Sequence, residues 1–175
     1  MNASVQERAT SIDESVNDAT TDQYLTFSLA GEEYGVDILN VQEVKVWTKV
    51  TVLPNTPDFI KGVLNLRGTI VPIIDLRSRF RMPAVDYSAT TVIVILKLKI
   101  DSRERIIGLV VDAVSDVLDI PRSAQKSVDS FETSSRTEAI TGIAAINNKM
   151  VIMLDTARLL NSKDLQSVDR EVLPA

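Results

Sequence analysis

The 175-residue chain contains no cysteine and no histidine. Without thiols there is no disulfide, no thiolate nucleophile, no cysteine zinc site and no thiolate-held iron–sulfur cluster. Without imidazole, the commonest general base and the commonest metal ligand are both missing. Any catalysis would fall to Asp, Glu, Lys, Tyr, Ser or Thr. Aromatic residues are scarce, 5% of the chain, with a single tryptophan. No apolar run approaches the ~20 residues a membrane-crossing helix needs. One of the longest, residues 92–96, stops at Lys97. The polar, acidic N-terminus lacks the apolar stretch of an export signal, and a disulfide-free chain fits a reducing compartment. A cytoplasmic protein is expected.

The net charge of −5 is unevenly placed. In residues 1–22, Glu7, Asp13, Glu14, Asp18 and Asp22 stand against Arg8, a net of −4. Residues 161–175 carry −1, so the body from 23 to 160 is neutral. A neutral body with acidic ends does not attract phosphate backbones or anionic membrane surfaces. Neither nucleic acid nor direct membrane insertion is expected.

What is present is a β pattern. Residues 1–22 are rich in Ser, Thr, Asn, Asp and Glu and read as a disordered acidic tail. From Gln23 the folded part begins. Leu25, Phe27 and Leu29 alternate with polar neighbours; a turn at 30–33 follows, then Tyr34, Val36 and Ile38 alternate again, a hairpin signature. Ile38, Val41 and Val44 step by threes and leave a short helical turn open. Two β-rich runs, 59–66 and 69–74, flank Arg67-Gly68, where glycine supplies the positive φ of a tight hairpin. Asp75 caps a short helix over 76–80. Further strands are expected at 91–99 and 106–111, around a polar turn at 101–105, and at 114–120 before Pro121. Residues 121–138 read as a long loop or short helix. A last hairpin, 140–146 with 149–154, turns on Asn147-Asn148. Asp155 caps a helix over 156–160, and residues 163–175 read as a C-terminal tail.

The chain repeats itself. A shift of 80 lays Gly62 on Gly142, Leu66 on Ile146, Arg67-Gly68 on Asn147-Asn148, Asp75 on Asp155 and Phe80 on Leu160. A shift of 73 lays Gly35 on Gly108, Val41 on Val114, Glu43 on Asp116 and Val44 on Val117. Each half reads as one small barrel of hairpin, linking strand, hairpin and cap helix. A half of ~60 residues is marginal alone, so the two are expected to pack together. The groove between them and the loops at their ends suit binding.

Catalytic signatures are missing. There is no phosphate loop, no dinucleotide glycine fingerprint and no calcium loop. Asp75 and Asp155 occupy equivalent repeat positions, which fits paired helix caps better than catalytic carboxylates. Ser102 and Ser115 have no histidine to activate them. No catalytic residue, metal site or cofactor is expected. A small hydrolase built on Asp and Ser would need Asp75, Asp112 and Asp155 gathered in a cleft. Arg67, at a hairpin tip, is either a solvated turn residue or a docking residue, since arginine makes bidentate carboxylate contacts and is enriched in binding hot spots. Glu43 is a candidate partner for it. Trp47 reads as core. Phe131, alone in a polar segment, is either tucked beneath it or offered to a partner.

Three motifs carry a resemblance. Glu33-Tyr34-Gly35-Val36-Asp37-Ile38-Leu39 with Val41-Gln42-Glu43 is the first. Phe59-Ile60-Lys61-Gly62-Val63-Leu64-Asn65-Leu66-Arg67-Gly68, continuing to Asp75-Leu76-Arg77, is the second. Val110-Val111-Asp112-Ala113-Val114-Ser115-Asp116-Val117-Leu118 is the third. In this order they resemble the CheW family of bacterial chemotaxis coupling proteins, over about residues 23–162. Departures are Val46, where a smaller residue is usual, Trp47 in place of a smaller aromatic, a longer turn at 100–106, and the acidic tail.

The resemblance implies a mainly β fold of two SH3-like five-stranded barrels packed together, with short helices. It implies a non-catalytic scaffold that couples the cytoplasmic tips of methyl-accepting chemoreceptors to the regulatory domain of the histidine kinase CheA. Other copies of the same protein would join it in rings at receptor arrays on the inner face of the membrane. Carried over by motif, the receptor-facing groove would comprise Val41, Glu43, Gly62, Arg67, Ile93, Gly108 and Val117, with the glycines allowing close backbone approach. Kinase contacts would fall on Ile38, Lys126 and Phe131. The alternative is a CheW-like adaptor for a different receptor–kinase pathway, such as surface motility or biofilm formation. CheA and CheV relatives need further domains for which 175 residues leave no room.

Overall fold

The computed structural model describes residues 20–127 and 138–172. Eleven named strands dominate them: β1 (Thr21–Leu29), β2 (Glu32–Asp37), β3 (Val41–Val46), β4 (Ile60–Leu66), β5 (Thr69–Asp75), β6 (Val92–Ile100), β7 (Arg103–Val111), β8 (Ala113–Pro121), β9 (Gln125–Ser127), β10 (Ile140–Ile146) and β11 (Lys149–Leu154). Two helices accompany them, α1 (Leu76–Arg79) and α2 (Ser162–Val172).

Four hairpins share one turn chemistry. Ala30-Gly31, Arg67-Gly68, Asp101-Ser102 and Asn147-Asn148 each place two consecutive residues at positive φ. That is the two-residue geometry whose twist matches the flanking strands. The turn expected over 101–105 is therefore only Asp101-Ser102. Arg103, Glu104 and Arg105 belong to β7, paired with Ile100, Lys99 and Leu98. Their charge reads as loop, but the register continues through them.

The strands form two sheets. One has the order β8-β1-β2-β11-β10-β9, the other β3-β6-β7-β5-β4. Both close. β8 and β9 stand at opposite edges of the first sheet yet are separated by only Arg122, Ser123 and Ala124. In the second, Thr51, beyond β3, exchanges backbone hydrogen bonds of 3.0 and 2.9 Å with Val63 of β4. These are two SH3-like barrels, called A and B below.

The barrels are not the two sequence halves. Barrel A takes β1 and β2 from the first half and β8 to β11 from the second; barrel B takes β3 to β5 and β6 to β7. The leading hairpins are exchanged. The repeat survives this at single-residue level. Between β4 and β5 the register slips at Ile60/Gly62, and between β10 and β11 at Ile140/Gly142. Between β3 and β6 the bulge leaves out Gln42, and between β8 and β1 it leaves out Ser115.

The exchange explains the core. Its largest cluster draws on both sheets, with Phe27, Leu29, Tyr34 and Val36 meeting Ile74, Val94, Leu96 and Leu109. Smaller clusters fill barrel B, from Ile73, Ile93, Ile95 and Val71, and barrel A, from Ile120, Ala144, Val151 and Met153. The helices seal the central layer. Asp75 accepts from the Ser78 N–H to cap α1, whose Leu76 is fully buried. Asp155 caps a single 3-10 turn, Thr156–Arg158, in place of the helix expected over 156–160. Where a tail was expected beyond residue 162, α2 presses Leu165 and Val168 into the central cluster. Only three apolar residues three or four apart mark its inner stripe, so its polar face dominates the sequence reading. The stretch read as a disordered tail lies almost wholly outside the described residues.

Candidate functional site

Glu43 and Arg67 come together at the open end of barrel B. The bulge at Gln42 sets the phase of β3, so that Glu43 and Lys45 point one way and Val44 and Val46 the other. Arg67 opens the β4–β5 turn at φ 51°, a conformation L residues seldom adopt. Asn65 steadies that turn by accepting from the Gly68 N–H at 2.8 Å. From there the Arg67 guanidinium donates to Glu43 Oε2, and Lys45 Nζ lies 3.9 Å from Oε1. The arginine side chain remains 72% exposed against 26% for Glu43. One face of the guanidinium is thus held while the rest is presented to solvent.

Several apolar side chains of the same region of the chain are also exposed. Val44, Val46, Val52 and Ile70 are exposed, and Leu39, just before β3, is 87% exposed. The sequence reading passed over most of these. Val44 and Val46 lie on the face of β3 opposite Glu43 and are exposed among the described residues.

The other site residues fall in different places. Val41 is half-buried against the central cluster, as is Ile38. Ile93 is fully buried in barrel B. Gly108 is also interior: a Cβ there would stand 2.6 Å from Ile73 Cδ1 and 2.8 Å from Ile93 Cγ2. Gly62, at φ 148°, faces the Thr51 backbone carbonyl at a distance that admits no Cβ. The close backbone approach at both glycines is therefore made by this chain's own atoms. Val117 is exposed but lies on β8 in barrel A, opposite Leu25. Lys126 is exposed on β9, opposite Ile143. Phe131 lies outside the described residues.

The carboxylates weighed for catalysis are spoken for. Asp75 accepts from the Tyr87 hydroxyl at 2.6 Å as well as capping α1. Asp112 accepts from Arg77 and from the Ala30 N–H. Asp155 caps its turn and pairs with Arg158 at 3.3 Å. Among the described residues no three acidic side chains converge as a metal-binding group, and no helix is long and apolar enough to cross a membrane.

The model of the CheW-like domain matches residues 23–164. The chain belongs to the CheW-like family. It is 45% identical over 147 residues to the chemotaxis protein CheW of Klebsiella aerogenes, covering 84% of this chain and 86% of that protein. It is 32% identical over 146 residues to the CheW of Rhizobium meliloti, covering 83% and 91%. Among solved structures it resembles the scaffolding protein TtCheW of Thermoanaerobacter tengcongensis, with a TM-score of 0.73 and 35% identity over 82% of this chain and 95% of that one.

Proposed function

We propose that this chain is a non-catalytic scaffold that couples the cytoplasmic tips of chemoreceptors to a CheA-type histidine kinase in chemotaxis arrays at the inner face of the membrane. The observation that carries the reading is an arginine held by Glu43 yet 72% exposed, in a chain of the CheW-like family. Arginine is one of the residues enriched in binding hot spots. Receptor contact falls on Glu43, Arg67, Val41 and Val117. Gly62, Ile93 and Gly108 contribute by holding barrel B in shape beneath that surface. Kinase contact falls on Ile38, with its exposed neighbour Leu39, at one interface and on Lys126 and Phe131 at the other. The working unit runs from about residue 23 through α2, whose Leu165 and Val168 pack into the central cluster.

The test has two arms. Calorimetric titration with the regulatory domain of the cognate kinase should give saturable one-to-one binding; absence of binding by the folded protein removes the kinase half. In a reconstituted receptor–kinase assay, Arg67→Glu should fold normally yet lose receptor-dependent kinase activation. Retained activation removes Arg67 from the receptor surface.

A further inference from the structure

We propose that the mouth of barrel A is a docking pocket for an arginine side chain of a partner polypeptide, held by Asp116 and Glu33. The inference stands apart from the adaptor reading, because it follows from comparing the two barrels of this chain with each other.

The matched bulges put the two mouths in register. Glu43 pairs with Ile95 across β3 and β6; Asp116 pairs with Thr26 across β8 and β1. In barrel B the mouth is filled. Ile95 is fully buried, Ile106 packs against the same cluster, and the Glu43–Arg67 ion pair spans the opening. In barrel A each of these positions holds something smaller or more polar. Thr26 stands for Ile95, Glu33 for Ile106, Asp116 for Glu43 and Asn147 for Arg67. The result is a cavity of about 200 Å³, bounded by these four residues and floored by Val151.

Neither carboxylate of this cavity is ion-paired among the described residues. Glu33 Oε1 accepts from the Ser115 hydroxyl at 2.9 Å, and Asp116 Oδ1 accepts from the Val117 N–H at 2.8 Å. The second oxygen of each carboxylate accepts nothing among the described residues. Lys149, the one cation on the rim, makes no ion pair with either among those residues. In barrel B the chain supplies the missing group itself, a guanidinium on the equivalent carboxylate, delivered from the equivalent turn. Asn147 cannot do this. A guanidinium presents five donors in a planar fork and can bridge two carboxylates, which a compact ammonium does less well. The apolar floor of Val151 and Ile146 suits the aliphatic stem that carries it. The internal precedent and the unanswered charge both name the same occupant.

The experiment uses the isotope-labelled full chain, followed by amide NMR. The probe is a blocked tripeptide, alanine–arginine–alanine, with citrulline as its uncharged isostere and lysine as the alternative cation. Arginine is expected to shift the amides of Glu33, Asp116, Val117 and Asn147 in a saturable way. Citrulline is expected to leave them in place, and lysine to bind at least threefold more weakly. Asp116→Asn keeps the acceptor for the Val117 N–H and should lose most of the response. Asn147→Arg should supply the guanidinium in cis, abolish the response, and leave the melting temperature unchanged or raised. No shift at this mouth, an equal response to citrulline or lysine, or a response retained in both variants would overturn the proposal.

Discussion

Arg77 grips Asp112 through two parallel hydrogen bonds, Nε to Oδ1 at 2.8 Å and Nη2 to Oδ2 at 2.6 Å. Arg77 belongs to α1, at the end of the first half; Asp112 sits between β7 and β8 in the second. The same carboxylate accepts from the Ala30 N–H at 2.9 Å, in the β1–β2 turn. One side chain therefore ties together three segments of the exchanged fold. The Arg77 hydrogen bonds hold the Asp112 carboxyl below its usual range; burial opposes this, and the Ala30 N–H reinforces it.

A carboxylate with a lowered folded pKa contributes stability above its unfolded value of about 3.9 and loses it as pH falls through the folded value. Asp112→Asn should therefore cost about 1–3 kcal/mol at pH 7, the range for charge-assisted hydrogen bonds at a partly buried site. The gap between wild type and variant should narrow below about pH 4. Urea unfolding across pH reads this directly, and a gap independent of pH would refute the assignment.

The glycines of barrel B make a second test. Gly108→Ala would drive a Cβ into Ile73 and Ile93, an overpacking that costs about 1–3 kcal/mol. Gly62→Ala should cost more, since its φ of 148° and the adjacent Thr51 carbonyl both resist a side chain. Both should lower the urea midpoint. A variant with an unchanged midpoint but lost partner binding would show that the glycine itself is a contact.

Tyr87 tests the cap of α1. Burial first, then its hydrogen bond to Asp75, pushes the Tyr87 phenol above the ordinary value of 10.0. The proton stays on longer in the folded state, so the contribution is full below pH 10 and fades only as pH rises beyond it. Tyr87→Phe leaves Asp75, only 8% exposed, short of a donor; the expected cost at pH 7 is about 1–3 kcal/mol. Ultraviolet titration should also lose a late-ionising phenol in the variant. If the titration curves of the two proteins differ only near pH 10, the hydrogen bond does not persist in solution.

For α2 the expected result separates packing from charge. Leu165→Ala removes a side chain 4% exposed from the central cluster and should cost about 2–5 kcal/mol. Arg105→Ala breaks the bidentate contact with Asp169, at 3.1 and 3.0 Å, but that pair is partly solvated and should cost about 1 kcal/mol or less. Equal melting temperatures for Leu165→Ala and wild type would mean that the helix does not hold its place.

Much of the local architecture was legible before the fold was seen. The hairpins show in the two-residue alternation of Leu25, Phe27 and Leu29 against Tyr34, Val36 and Ile38. The caps show in Asp75 and Asp155, each just before a helical stretch. These features depend on residues within a few positions of one another. The motif around Arg67 was equally plain, and Glu43 could be named as its candidate partner, but the sequence could not place the two together, because Glu43 is 24 positions away and reaches Arg67 only when barrel B closes. The interior places of Ile93 and Gly108 were hidden for a related reason. A motif marks a position as special without saying whether the side chain faces a partner or the chain's own core.

Composition and pattern alone thus determined a β-rich, duplicated, cysteine-free and histidine-free chain with tight hairpins and capped turns. The tertiary structure decided which copy of the repeat each hairpin joins. A duplicated sequence cannot make that choice visible, since β1 and β6 offer similar apolar faces and β3 and β8 offer the same bulge. Pairing within a half and pairing across halves satisfy the same local rules. What separates them is burial: crossing the hairpins lets both sheets share one central cluster, from Phe27 and Tyr34 on one side to Val94 and Leu109 on the other. That gain belongs to the whole chain and is written in no single segment of it.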